Sequence, residues 1–574
     1  MAEDPTYESV NESEADAALE AQSGLLRNSA VMASGSILSR ITGIARDITL
    51  TAALGLATTA DAFTVGNSLP GIVYVLVIGG ALNAVFVPQL VRRMKDDRDG
   101  GQAYTDSLLS LTVVILLVVS VAAVALAPWI VSLYVTSDFS EGQFSMTVAF
   151  ARYCLPQIFF FGLYTMLTQV LNARGRFGPP MFAPILSNCV AITTYLSFFL
   201  IVGPSAASDG LLTAQQTAWL GLGTTLGIAA QALILLPVVV RSGYKWRFSR
   251  RWRGMGMRKA GRLAGWTLGL VAITQLAFVV VSRLATQANV NAAESGQASA
   301  GLRTYTLGYL VFMIPHGIVT VSIVTAMLPN LSRTVHSGLW RAAGLEIGHT
   351  MRLAASVITP IALVILLGAQ PLVGLLFQYG ATNAAAAAQL GSVVSVFMLG
   401  LLPFTLYYVL QRGWYAAEDT RTPFLFAVLL NAVFVGAAVP LFYRAGPGAG
   451  QVEALALAFS AANWVTFVIA WPMLRREYGY LDTRRTLGTL VRIAAAGAVA
   501  VAAAVLAHRL VLPNYVVGGT RGSAFVDLAG IAIFVLGGFS VTAWILRVSE
   551  FRELVYWIWS HTPMSGRRPK TPTE

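Results

Sequence analysis

The sequence predicts an all-α polytopic membrane protein of about 14 transmembrane helices, built as two six-helix lobes related by a parallel internal repeat, plus two extra C-terminal helices. Three observations lead there: composition, the length of the apolar runs, and proline landmarks that recur in the second half. Of 574 residues, 56% are hydrophobic and only 11% charged, against roughly a quarter charged in a soluble domain. The mean hydropathy is +0.66. A soluble globular enzyme is excluded by that balance. A spanning helix needs about 20 apolar residues. The alternative spanning form, a closed barrel, would show short alternating segments, and the runs here are long.

Apolar segments bounded by charged or Gly/Pro-rich breaks fall at 29–56, 60–91, 107–135, 146–172, 181–203 and 218–240. Six more follow at 263–288, 303–331, 353–377, 386–411, 423–442 and 453–474, and a final pair at 488–511 and 523–547. The expected organisation is an acidic disordered tail over 1–26, an N-terminal lobe over 27–241 and a basic loop over 242–262. A C-terminal lobe over 263–476, spans 13 and 14 within 487–548 and a tail over 549–574 complete it. The first 26 residues hold seven acids and no base, so they lack the basic start of a signal peptide.

Thirty-nine Lys and Arg against 27 Asp and Glu give a net charge of +12. Nucleic acid is not the expected partner, because the bases sit in loops between apolar runs as the positive-inside rule requires of cytoplasmic loops. One alternating set of loops contains 25 basic residues, nine of them between Arg241 and Arg262. The opposite loops 136–144, 204–217 and 378–385 contain none. Both termini are therefore expected in the cytoplasm. Cys154 and Cys189 lie in apolar segments and read as packing residues. No phosphate-binding P-loop is present and the five His show no metal spacing, so no cofactor, metal or ATP hydrolysis is expected.

The repeat appears in the prolines. Pro70, Pro88, Pro156 and Pro180 recur as Pro315, Pro329, Pro403 and Pro423, at offsets of 245, 241, 247 and 243. Six spans separate each pair, an even number, so the halves share an orientation and are related by an axis along the membrane normal.

Ionisable residues inside spans cost several kcal/mol unless they face a polar cavity or a partner. Span 1 holds Arg40, Arg46 and Asp47 among Ser, Thr and Gly, too polar for a lipid-facing helix. Arg40 and Asp47 share a helix face, so one reading is an internal ion pair serving packing. The functional reading is the wall of an anion-binding cavity, since two Arg outnumber one acid and the planar guanidinium suits phosphate oxygens. Asp61 either caps span 2 or joins that site. Asn67, Asn83 and several Gly around Pro70 make span 2 polar and kinkable. Arg152, Arg283 and Arg303 complete the set, the last two either snorkelling at the outer interface or facing the cavity.

The stretch from Ser39 to Asp47, followed by Ala60-Asp61-Ala62-Phe63, Leu69-Pro70 and Phe86-Val87-Pro88, resembles the MurJ/MviN family. The likeness continues through Leu328-Pro329-Asn330-Leu331-Ser332, Phe377-Gln378-Tyr379-Gly380 and the run from Trp414 to Pro423. The resemblance implies a lipid II flippase of the MOP exporter superfamily in a bacterial inner membrane, serving peptidoglycan biosynthesis. It implies fourteen helices, two lobes around a cationic cavity, and spans 13 and 14 bordering a groove for the lipid tail. Arg40 and Arg46 carry over as ligands of the substrate diphosphate, beside Asp47, Asp61, Asn67, Asn83 and Arg303. Two departures stand out. Where many members have two Arg and a Glu after the Leu-Pro of span 2, this chain has Tyr74, Val75 and Gly79, and a span-8 Arg is here Leu310. Arg303, seven residues earlier on the same face, offers a substitute charge. Alternatives are another exporter of the superfamily, for a polysaccharide lipid or a drug, or a membrane scaffold recruiting cell-wall synthesis or division proteins.

Overall fold

The computed structural model describes residues 32, 34–79, 99, 101–204, 211–250, 257–510 and 521–560. The expectations for residues 1–26, for Asn83 and for the tail beyond 560 lie outside the described residues. Everything described is helix or connection, with no strand among the described residues. Helix α1 covers 34–54. After it come α2 (Thr58–Tyr74), α3 (Gln102–Ala125), α4 (Ala127–Tyr134), α5 (Glu141–Cys154), α6 (Gln157–Ala173), α7 (Gly178–Ile201), α8 (Ala214–Leu233) and α9 (Leu235–Arg241). The second half runs α10 (Met257–Glu294), α11 (Leu302–Pro315), α12 (Val321–His336), α13 (Trp340–Phe377), α14 (Ala384–Met398), α15 (Leu401–Ala416), α16 (Arg421–Arg444) and α17 (Ala449–Tyr478). The last three are α18 (Thr483–Leu510), α19 (Arg521–Ile545) and α20 (Ser549–Ser560).

Among the described residues, twelve helices are long and apolar enough to cross a membrane, and thirteen if α14 and α15, bent by 43° at their break, count as one span. Helix α1, the first span expected from the sequence, is not among them, because it carries Arg40, Arg46 and Asp47. Its polarity is partly absorbed internally: the hydroxyls of Thr42, Thr49 and Thr51 donate to the carbonyls of Leu38, Ala45 and Asp47 one turn back, which satisfies them without water.

The proline repeat has a structural counterpart. Pro70 precedes a π-helical turn at Val75–Gly79, and Pro315 directly precedes one at His316–Thr320. Pro156 stands at the break between α5 and α6, and Pro403 just after the break between α14 and α15. In both cases the ring removes a backbone donor and the helix gives way there. Helix starts are fixed by side chains. Thr213 and Gln216 form a reciprocal capping box on α8, and Asn383 Oδ1 accepts the Ala386 N–H at 2.8 Å. These remove orphan donors at the first turn. Between α1 and α2, Gly55 adopts φ +68° with its Cα against the Ala381 carbonyl, a position where a Cβ would sit 2.9 Å from that oxygen.

The chain folds into two compact units. One comprises Met1–Ala53, Val65–Val131 and Glu141–Leu268, the other Leu54–Thr64, Ser132–Ser140 and Gly269–Glu574. In the first, α2 lies against α5 so closely that a Cβ at Gly66 would meet Phe150 Cβ at 2.7 Å, the small-residue contact typical of membrane helices. In the second, one apolar core joins α12, α13, α15, α17, α18 and α19, through Leu331, Ile347, Trp414, Leu474, Ala500 and Phe539. The two C-terminal spans thus share the core of the preceding helices. Arg352 of α13 reinforces this arrangement: buried, it bonds Asp482 Oδ2 (3.1 Å), Thr486 Oγ1 (3.0 Å) and the fully buried Glu550 of α20.

Candidate anion site in the first helix

Ser39, Thr42 and Arg46 recur at helical spacing along α1, and that face meets Asn188 of α7. Asn188 Nδ2 donates to the Ser39 carbonyl (3.1 Å) and to Thr42 Oγ1 (2.9 Å), while its Oδ1 accepts from Arg46 Nη1 at 3.3 Å. The other end of the guanidinium, Nη2, lies 2.9 Å from Asp47 Oδ2. Asp47 is buried, whereas 38% of the Arg46 side chain stays exposed. Arg40, a turn and a half earlier, is exposed. The ion pair of Asp47 is therefore made with its neighbour Arg46, not with Arg40 seven residues away. Two cations against one carboxylate leave a net positive charge, one guanidinium being held in a fixed orientation and partly open. Such a fork engages two phosphate oxygens at once. Tyr195, two turns beyond Asn188 on α7, is buried with its hydroxyl 3.2 Å from Thr224 Oγ1.

Asp61 lies in the second unit and caps a helix, but not its own. Its Oδ1 accepts the backbone N–H of Arg303 at 2.7 Å and its Oδ2 the Asn289 amide at 2.9 Å, so the carboxylate closes the N-terminus of α11. A negative charge there is favoured by the unsatisfied N–H groups and the helix dipole. Gly301 makes room for it, since a Cβ at that position would collide with Asp61 Oδ2 and come within 2.8 Å of Asn289 Nδ2. Arg303 itself is 6% exposed, so it is enclosed by protein at the start of α11 and does not reach out to an interface. Arg283 is exposed and donates to the Ser132 carbonyl at 2.9 Å.

Asn67 belongs to a packing network in the first unit, accepting from Gln157 Nε2 at 3.4 Å while the same amide reaches Thr225 Oγ1 at 3.0 Å. Asn83 lies outside the described residues. Tyr74, standing where many relatives have Arg, donates its hydroxyl to Thr165 Oγ1 at 2.7 Å and packs on Phe161. Leu310 is half-buried. The structure thus joins Arg46 and Asp47 in one cluster and Asp61 and Arg303 in another. Sequence reasoning missed Asn188 and Asn289, the partners that fix both clusters. For Asn188 the signal was present, an amide inside the apolar run 181–203, which in a membrane needs a partner; Asn289 lies just past the end of its run among other polar residues and gave no such signal.

Residues 50–521 match the family of the lipid II flippase MurJ. The chain belongs to that family. It is 27% identical over 458 residues to the probable lipid II flippase MurJ of Rhizobium meliloti, covering 78% of this chain and 80% of that protein. It is 28% identical over 422 residues to the lipid II flippase MurJ of Burkholderia cenocepacia, covering 72% and 78%. Against the relative from Thermotoga maritima the coverage rises to 91% and 96%, at 24% identity. Among solved structures, a lipid II flippase MurJ in an inward closed conformation superposes with a TM-score of 0.67, covering 91% of this chain and 99% of that one at 16% identity. A multidrug-resistance MATE transporter of the MOP superfamily, in an inward-facing conformation, gives 0.56 at 14% identity over 79% and 98%. At such identities these likenesses show the fold alone, a multi-span helical membrane fold shared with both structures.

Proposed function

We propose that this chain moves lipid II, an undecaprenyl-diphosphate-linked peptidoglycan precursor, from the cytoplasmic to the outer leaflet of a bacterial inner membrane by alternating access. Family membership supports the reaction. What supports the placement of the site is one observation, the oriented Arg46 guanidinium on a polar helix that also carries the exposed Arg40. A diphosphate headgroup is too costly to carry through hydrocarbon without compensating charge. Arg46, held by Asp47 and Asn188, and Arg40, exposed nearby, are the proposed ligands. Because Asn188 and Asp47 hold the guanidinium in place, little side-chain entropy is lost when the headgroup binds. The apolar runs support fourteen spans, and the positive-inside count supports both termini in the cytoplasm. Asp61, at the head of α11, is proposed to hold the start of α2 to the start of α11, so that its release accompanies the conformational exchange.

The experiment is translocation of a fluorescent lipid II analogue by purified protein in liposomes, scored by access of an impermeant quencher. Translocation by the wild type and its loss in Arg40→Ala/Arg46→Ala supports the reading. Equal translocation by both overturns the site, and none by the wild type overturns the reaction.

A further inference from the structure

Beyond α9 the chain does not leave the protein at once. Residues 242–250, a turn followed by irregular chain, lie along the first turns of α3 and are strapped down there. The buried Asp106 carboxylate accepts the Tyr244 hydroxyl at 2.6 Å and the Arg247 N–H at 3.2 Å through Oδ1. Ser110 Oγ accepts the Ser249 N–H at 2.9 Å and the Trp246 indole N–H at 3.3 Å. Ser107 and Ser249 share a hydroxyl bond of 2.9 Å. Gln102 Nε2 reaches the Lys245 carbonyl at 3.4 Å, and Arg174 clasps the start of the strap by donating to the Ser242 carbonyl at 2.8 Å and lying over the Tyr244 ring.

These contacts use the backbone, the inward side chains Tyr244 and Ser249, and the indole N–H of Trp246, whose ring face stays open. They leave Lys245, Arg247 and Arg250 exposed, together with Trp246 at 45% and Phe248 at 54%. Arg241, also exposed, ends the candidate span Ala214–Arg241, so the strap begins where hydrocarbon gives way to headgroups. Of the neighbouring carboxylates among the described residues, Asp106 is occupied by the strap, and Asp99 accepts the N–H groups of Gly101 and Ala103 at the start of α3. Indole and phenyl rings interleaved with cations at that depth suit a lipid surface: rings settle at the headgroup level and cations draw acidic headgroups. Apart from the one bond of the Trp246 indole N–H to Ser110, packing accounts for neither set, because both stay largely exposed.

We infer that the strap is a binding surface for anionic phospholipid headgroups of the adjoining leaflet, separate from the anion site of α1. Its cations are held in register by Asp106 and Ser110 rather than dangling from a loose loop, so the surface retains particular lipids instead of merely attracting a diffuse layer. Each cation near an acidic membrane surface contributes roughly fivefold in affinity.

The test is native mass spectrometry of the purified full chain, titrated with phosphatidylglycerol, with phosphatidylcholine, and with a short-chain prenyl diphosphate. The wild type should retain phosphatidylglycerol over phosphatidylcholine, and raising the salt should erode that preference. Lys245→Gln/Arg247→Gln/Arg250→Gln should bind phosphatidylglycerol at least tenfold more weakly with an unchanged melting temperature. Asp106→Asn keeps every cation and unfastens the strap, and it should weaken binding severalfold. Undiminished phosphatidylglycerol binding by the triple variant overturns the inference, as does a wild-type preference indifferent to salt. Loss of prenyl diphosphate alone would assign the strap to the transported substrate and overturn it equally.

Discussion

The Asp61 carboxylate closes the amino end of α11 by accepting the Arg303 N–H at 2.7 Å, 242 residues further along the chain. Helix α11 has no other side-chain cap on its own sequence, Gly301 being its N-cap residue. Asp61→Ala leaves that N–H and the Asn289 amide buried without this acceptor, at about 1–3 kcal/mol for each. A loss of roughly 3 kcal/mol is expected, and a smaller one for Asp61→Asn, which keeps an acceptor but not the charge. Thermal unfolding in detergent measures both. Gly301→Ala should mimic the alanine variant by pushing the carboxylate away, and a wild-type melting curve for it would contradict the cap.

Arg40→Ala and Arg46→Ala should each abolish rescue of flippase-depleted cells while the protein still accumulates in the membrane. Arg46→Lys should rescue poorly, because an ammonium lacks the planar fork. Asn188→Ala is the more discriminating variant. It leaves both charges in place and removes the group that orients Arg46, so it should slow translocation at low substrate and recover at high substrate. Full activity of Asn188→Ala at all concentrations would show that orientation does not matter.

Glu550→Gln should destabilise the chain strongly, by about 3–5 kcal/mol, because it leaves the Arg352 guanidinium buried with a weaker set of partners. The paired change Arg352→Met/Glu550→Leu should recover most of that loss. Burial pushes the Glu550 carboxyl up, but hydrogen bonds from Arg352 and Ser549 outweigh it and hold the group below its ordinary value. The sign follows: a depressed folded-state value stabilises fully above the unfolded value of about 4.3, and the contribution fades as pH falls through the lower folded value. The melting-temperature gap between wild type and Glu550→Gln should therefore stay constant from neutral pH to about 5 and shrink below about 4. A gap that widens on acidification would refute the pairing.

A cysteine placed at Gly254 should resist an impermeant thiol reagent in intact cells and react after permeabilisation, because its loop carries nine of the 25 basic residues assigned to the cytoplasm. Cys189 is exposed and has to be replaced first, whereas Cys154 is buried. Labelling of intact cells would invert the topology.

The architecture was legible because it rests on long apolar runs and on prolines whose backbone consequences are local. Pro156 and Pro403 stand at or just after helix breaks, a consequence of the missing donor that is local to the chain, so the repeat shows at the level of sequence. The clusters were legible only in part. Arg46 and Asp47 are adjacent and their pairing needs no knowledge of the fold, but spacing on one helix face favoured Arg40 as the partner. Asp61 was recognised as a cap without the helix it caps, because capping an element more than 200 residues away leaves no mark in local pattern. Arg352 was counted as a loop cation. Its burial depends on Glu550, a residue of the terminal helix that no periodicity connects to it.

The two π-helical turns, Val75–Gly79 and His316–Thr320, change how the helices that contain them can be read. Each accommodates about one residue more than a regular turn, so the wheel is advanced by about 100° on its far side. Residues before the turn, such as Arg303 and Leu310, keep their common phase. Residues across it do not. A single-residue deletion inside either turn would restore an uninterrupted α-helix and leave the downstream residues on the faces they now occupy. It should therefore be tolerated better than a deletion elsewhere in the same helix, and aligning relatives that lack these turns without a gap would match lipid-facing positions with inward-facing ones.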